Sequence, residues 1–80
     1  MRSQVNRDMM TALYRMLEKF EDAPAAESAD DRRWLTDAAK AMSTFYDAYK
    51  GNEFAQEFAL AFFNACVNRW KEKNKSLLTY

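Results

Sequence analysis

The sequence predicts an all-α protein, an antiparallel up-down-up three-helix bundle in which helix 3 is the longest and most apolar. The 80 residues include one Gly and one Pro, whereas an all-β domain needs turn residues about every 8 to 12 positions. Apolar residues recur at steps of three and four, which is the period of an amphipathic helix. A hydrophobic fraction of 49% at zero formal net charge favours a folded chain. We expect residues 1–80 to form one helical domain, because a chain this short supports a single core.

Helix 1 is predicted over about residues 3–21. Its apolar side chains fall on one face when successive residues are rotated by about 100°. They are Val5, Met9, Ala12, Leu13, Met16, Leu17 and Phe20, with Tyr14 near the boundary. Pro24 lies in the small, acidic connector that follows, so we expect the helix to end before it.

Helix 2 is predicted over about residues 29–50. Ser28 and Asp31 form a capping-box pattern, in which a hydroxyl and a carboxylate satisfy free backbone N–H groups reciprocally. The apolar stripe comprises Trp34, Leu35, Ala38, Ala39, Met42, Phe45, Tyr46 and Tyr49. Gly51 is expected to end the helix in a left-handed conformation.

Helix 3 is predicted over about residues 52–76, with Asn52 as its N-cap. Apolar residues cover about half of its circumference. They are Phe54, Ala55, Phe58, Ala59, Phe62, Phe63, Ala65, Cys66 and Trp70, extended by Leu60, Ala61 and Val67. A helix this apolar is normally covered on more than one side, so we expect neighbours beyond a single packed stripe.

The neutral total charge hides two patches of opposite sign. Six carboxylates and one lysine lie between positions 18 and 31, whereas four cations and one carboxylate lie between positions 69 and 75. The up-down-up topology places these segments side by side. They can pair within the chain or bind a partner, and the sequence leaves both possibilities open.

Catalysis is disfavoured by the residue types that are missing. The chain contains no His, which removes the commonest general base and metal ligand, and it has no Gly-rich phosphate loop. Its single cysteine, Cys66, lies in the apolar arc of helix 3 with no base nearby in sequence to activate it. We therefore expect no catalytic residue, no metal site, no cofactor and no enzymatic activity.

The excess of large apolar side chains favours a protein partner. The leftover arc of helix 3 is predicted to form the interface through Leu60, Phe63 and Val67, with Trp70 at its edge. Alternatively, three-helix packing covers more of helix 3 than a helical wheel indicates. The leading hypothesis is a non-enzymatic protein–protein interaction module, self-associating as a homodimer. Its small size is compatible with a bacterial, phage or mobile-element accessory protein that binds and modulates a larger complex.

The alternative function is association with nucleic acid. Phosphate contacts would come from Arg69, Lys71, Lys73 and Lys75, or the acidic connector would imitate DNA. Against direct binding, Glu53 and Glu57 lie at the start of helix 3, where a recognition helix meets the duplex. The sequence therefore favours a protein partner over nucleic acid.

Membrane insertion is also disfavoured. The longest uncharged stretch, residues 58–68, is 11 residues, whereas a spanning helix needs about 20. A single cysteine and the lack of a leader-like apolar segment predict a cytoplasmic protein.

Overall fold

The described part of the protein is all-α, which confirms the predicted class. The computed structural model describes residues 2–78, with side chains from residue 4 onward. The helices are α1 (Arg2–Lys19), α2 (Arg33–Ala48), α3 (Ala55–Lys73) and a short α4 (Lys75–Leu78). No β-strand occurs between residues 2 and 78.

Helix α1 ends two residues before the predicted boundary. The Phe20 N–H still donates to the carbonyl of Met16 at 3.0 Å, so one helical hydrogen bond continues past Lys19. Met9 is buried within this helix, Phe20 is buried just after its end, and Leu13 and Met16 are half-buried. The buried positions therefore follow only part of the apolar stripe predicted from the sequence.

Helix α2 begins at Arg33, so the predicted start near residue 29 and the predicted capping box are wrong. The Asp31 N–H closes a backbone turn on the Ser28 carbonyl at 3.1 Å. The Asp31 carboxylate accepts from the N–H groups of Glu27 at 3.0 Å and Arg33 at 3.3 Å. The Asp31 side chain thus closes a turn and satisfies one free amide at the helix start. Because the turn occupies the residues just before Arg33, the helix begins later in the sequence than predicted. At the other end, α2 stops at Ala48 with Tyr49 as its C-cap, two residues before the predicted boundary, so Gly51 does not end the helix directly. Gly51 lies in the turn that follows and has φ of +99°, the left-handed conformation that was predicted.

Helix α3 begins at Ala55, three residues after the predicted N-cap. Asn52 instead organises a turn, because its Oδ1 accepts from the Phe54 N–H at 2.9 Å and its carbonyl accepts from the Ala55 N–H at 3.2 Å. The helix ends at Lys73, and its C-cap, Asn74, separates it from α4. The predicted continuous helix to about residue 76 is therefore broken at one position.

Burial along α3 follows a single stripe. The buried residues are Ala55, Ala59, Phe62, Cys66 and Trp70. Their steps of four and three place them on one side of the helix. The expectation that α3 is covered on more than one side is wrong for Leu60, which remains 49% exposed.

The core consists of two adjoining clusters, each supplied by all three long helices. One cluster joins Met9, Phe45, Ala55 and Ala59, and the other joins Phe20, Ala38, Phe62 and Cys66. Phe20 has its ring centroid 5.5 Å from that of Phe62 in an edge-on arrangement and 5.6 Å from that of Trp34. Such tilted aromatic contacts add about 0.5–1.5 kcal/mol beyond area burial.

Hydrogen bonds also join the helices near both ends of α1. Near its start, the Asn52 amide donates to Asn6 Oδ1 at 3.2 Å. Just after its end, the Arg69 guanidinium donates to the Glu21 carbonyl at 3.1 Å. The α2–α3 turn therefore lies beside the start of α1, and the last turns of α3 lie beside its end.

Candidate functional site

The interface predicted on helix 3 is mostly not exposed. Leu60 is about half exposed, whereas Phe63 and Val67 are half-buried. Trp70 is only 2% exposed, so its placement at the edge of an interface is wrong. Of these four side chains, Leu60 alone presents a largely accessible apolar surface.

Trp70 is covered by the connector between α1 and α2. The Arg32 guanidinium carbon lies 4.1 Å from the centroid of the indole ring, a cation–π contact. The same guanidinium donates a hydrogen bond to the Ala29 carbonyl. Arg32 therefore holds the connector against the indole ring of Trp70.

Asn74 fixes the connector from the other side, although sequence analysis did not single it out. It is 3% exposed, and its Oδ1 accepts from the Ala26 N–H at 2.6 Å. Its amide nitrogen donates to the carbonyls of Pro24 at 3.3 Å and Trp70 at 3.0 Å. The available sequence signal was an Asn within a lysine-rich helix end, since Asn is one of the residues that end helices.

The exposed apolar side chains lie mainly on α1. Met10 is 48% exposed, Tyr14 62% and Leu17 48%. Steps of four and three residues place the three on one side of the helix, and we call this set the α1 face. Sequence analysis assigned Leu17 to the core stripe, and its exposure corrects that assignment.

The α1 face borders a groove between α1 and α3 of about 340 Å³. Tyr14, Leu17 and Glu18 line it from α1, and Ala65 and Arg69 line it from α3. The groove carries two acidic side chains, Glu18 and Glu21, and one basic side chain beside its apolar walls. It is therefore suited to a largely apolar contact with charges of both signs at its margin.

Arg69, the first residue of the predicted phosphate-contacting set, already has a partner within the chain, the carbonyl of Glu21. Lys71 and Lys73 are exposed at the end of α3, and Lys75 begins α4. The connector carboxylates Glu27 and Asp31 form ion pairs with a different cation, Arg33, at 3.3 and 3.0 Å. The two charged patches therefore meet through Arg69 and a backbone carbonyl, and Arg33 neutralises part of the acidic patch locally.

Burial disfavours reactivity of the single thiol. Cys66 is 2% exposed within the core cluster of Phe20, Ala38 and Phe62. Burial raises the pKa of the Cys66 thiol, and the nearby charge of Arg69 opposes this shift more weakly. The thiolate, which is the nucleophilic form, is therefore disfavoured at neutral pH.

The turn before α2 provides a pH-dependent contact. Two hydrogen bonds from the Arg33 guanidinium at 3.0 Å and one from the Glu27 N–H hold the pKa of the Asp31 carboxyl well below its usual range. Because folding lowers this pKa, the ionised carboxylate stabilises the fold above the unfolded-state value of about 4. That contribution declines as the pH falls below 4 towards 2.

Replacing Asp31 with Asn is expected to make stability less sensitive to acid over that range. Urea unfolding followed by circular dichroism at several pH values from 7 to 2 measures the effect. The matched control is Asp30→Asn, which changes an exposed neighbour that forms no ion pair with the side chains of residues 4–78. Equal acid sensitivity of the wild-type protein and Asp31→Asn would contradict this assignment.

Between residues 2 and 78 there is no cluster of three or more His, Cys, Asp or Glu side chains arranged to hold a metal ion. No helix in this part of the chain has both the length and the apolar character needed to cross a membrane. Comparison with protein-family models, curated proteins and solved structures found no match to this chain.

Proposed function

We propose that this protein is a non-enzymatic protein–protein interaction module that self-associates as a homodimer through the α1 face. The observation that carries the proposal is the exposure of Met10, Tyr14 and Leu17 on one side of α1. Large apolar side chains that are adjacent and exposed usually mark a contact with another protein. This surface replaces the helix 3 arc of the sequence-based hypothesis, because Trp70 is buried.

The same proposal includes an up-down-up three-helix bundle as the scaffold. It is supported by the bond between Asn6 and Asn52 near the start of α1, and by the bond between Arg69 and Glu21 after its end. Both are explained if α1 and α3 run in the same direction and α2 runs back between their ends. The bundle leaves one side of α1 without a neighbouring helix.

A two-fold dimer suits the chemistry of the α1 face. In such a dimer the same patch meets itself, so apolar side chains at steps of four and three can form one helix–helix seam. Glu18 and Arg69 line the adjoining groove and have opposite charges. A two-fold arrangement can therefore place unlike charges at the margin of an apolar centre.

We place this module in the cytoplasm as an accessory protein that binds and modulates a larger complex. A free thiol at Cys66 is compatible with a reducing compartment. Self-association and a second binding surface would together let a small protein join or block larger components.

Replacing Leu17 with Glu is expected to dissociate the dimer. Leu17 is 48% exposed, so the substitution changes the surface more than the core. Half the burial of a leucine in each of two copies is worth about 2 kcal/mol in total, or about a thirtyfold weaker dimer. Sedimentation equilibrium with a protomer mass of 9.4 kDa measures the change.

The matched control is Leu60→Glu, because Leu60 is the same residue type at 49% exposure on α3. We expect this variant to dimerise as the wild-type protein does, and circular dichroism checks that both variants remain helical. A wild-type protein that stays monomeric at a few hundred micromolar would reject self-association. Dissociation by Leu60→Glu with no effect of Leu17→Glu would move the interface to α3.

A further inference from the structure

A second groove lies on the opposite side of α1, between α1 and α2. Its volume is about 700 Å³. Apolar side chains form most of its floor, namely Ala12, Met16, Phe20, Ala41, Phe45 and Ala48. We call this depression the α1/α2 groove. It shares no lining residue with the α1 face, so the two surfaces can be occupied independently.

The margin of the α1/α2 groove is predominantly basic. Arg15, Lys19 and Lys40 line it, against a single carboxylate from Asp37. Among the residues that the structure describes, Arg15 and Lys40 form no ion pair. The Lys19 ammonium lies 5.6 Å from the centroid of the Phe20 ring, a contact that holds this cation beside the groove. The groove therefore combines an apolar floor with an excess of positive charge.

The dimensions of the groove suit a short helix. Its lining on α2 runs from Asp37 to Ala48, which spans about 17 Å at 1.5 Å per residue, or roughly three helical turns. The small side chains of Ala12, Ala41 and Ala48 allow another backbone to approach closely. An amphipathic helix fills such a groove with apolar residues at positions i, i+3 or i+4, and i+7.

We propose that the α1/α2 groove binds an amphipathic helix of a partner protein whose apolar face is flanked by Glu or Asp. Acidic flanks complement Arg15 and Lys40, which lack ion-pair partners among residues 2–78. A second copy docked groove to groove would bring these cations together, and like charges across an interface are unfavourable. The proposal goes beyond self-association and does not depend on it.

The test uses a defined probe. A fluorescein-labelled synthetic helix of 18 residues carries Leu at the i, i+3, i+4 and i+7 positions and Glu on both flanks, and its counterpart carries Lys in place of Glu. Fluorescence anisotropy is measured at low and at high salt. We expect saturable binding of the Glu peptide that weakens with salt, and at least about tenfold weaker binding of the Lys peptide.

Paired variants locate the binding site. Combining Arg15→Glu with Lys40→Glu is expected to weaken binding of the Glu peptide at least about tenfold, since two attractive contacts become repulsive. The matched control combines Lys71→Glu with Lys73→Glu, which reverses two exposed cations at the end of α3 and should leave binding within about twofold. Circular dichroism confirms that both double variants are folded.

The outcomes separate this proposal from the proposed function. Leu17→Glu should leave peptide binding unchanged, even where it abolishes the dimer. Absence of saturable binding up to 1 mM peptide, equal binding of the Glu and Lys peptides, or equal losses in the two double variants would overturn the proposal. Binding to anionic phosphatidylglycerol vesicles through Arg15 and Lys40, without binding of the Glu peptide, would overturn it in favour of a lipid surface.

Discussion

Replacing Trp70 with Ala is expected to lower the free energy of unfolding by about 3–5 kcal/mol, the usual cost of truncating a buried aromatic residue. Trp70 is 2% exposed and is covered by Arg32 of the connector. A domain of this length has a total stability of about 4–12 kcal/mol. The variant is therefore expected to be partly unfolded at 37 °C, and urea unfolding followed by circular dichroism measures the loss.

Replacing Arg32 with Ala separates burial from the cation–π contact at the same site. This variant keeps the indole and removes the Arg32 side chain with its cation–π contact and its hydrogen bond to the Ala29 carbonyl. Because the side chain is exposed, we expect a loss of about 0.5–1 kcal/mol. A loss below 1 kcal/mol for Trp70→Ala would show that the indole is largely accessible. That result would restore Trp70 to the interface predicted from the sequence.

Replacing Asn74 with Asp is expected to cost about 3 kcal/mol at neutral pH, because it places a buried charge without a cationic partner. The new carboxylate keeps an acceptor for the Ala26 N–H. It loses the donor that now serves the carbonyls of Pro24 and Trp70, and it directs negative charge at both. The cost is expected to shrink as the pH falls, because protonation removes the charge and restores a donor. Urea unfolding at pH 7 and pH 4 measures both effects.

Asn68→Asp is the matched control for Asn74→Asp. Asn68 is exposed on α3, so the same chemical change there is expected to alter stability by less than about 0.5 kcal/mol. Equal effects at the two positions would contradict the assignment of Asn74 as the buried link between α3 and the connector.

The three long helices could be predicted from the sequence, whereas the first residues of α2 and α3 could not. Apolar periodicity fixes which segments are helical, since it follows directly from the helical repeat. The first residue of a helix depends on whether a nearby polar side chain caps the helix or closes a turn ahead of it. Asp31 and Asn52 both have side chains suited to an N-cap, but each closes a turn ahead of the helix. Such competition depends on local backbone geometry that the residue types alone do not determine.

The presence of an exposed apolar surface could be predicted from the sequence, but its position could not. An excess of large apolar side chains was evident from composition, but its position depends on which neighbours cover each helix. The connector that covers Trp70 is more than 35 positions away in sequence. Arg32 of the connector contacts the indole ring, and Asn74 donates a hydrogen bond to the connector at Pro24. Leu17 belongs to the apolar stripe of α1 and is nevertheless half exposed, because α2 and α3 cover the adjacent part of that stripe. A helical wheel represents a single helix, so it shows neither the covering of Trp70 nor the exposure of Leu17.

We propose that two copies of the chain meet through their α1 faces. An isotope-filtered nuclear Overhauser experiment on a mixture of labelled and unlabelled protein detects only contacts between copies. We expect intermolecular signals from the Tyr14 ring protons to the methyl groups of Met10 or Leu17. Intermolecular signals from the Leu60 methyl groups with none from Tyr14, or a dimer with no signal at the α1 face, would contradict this proposal.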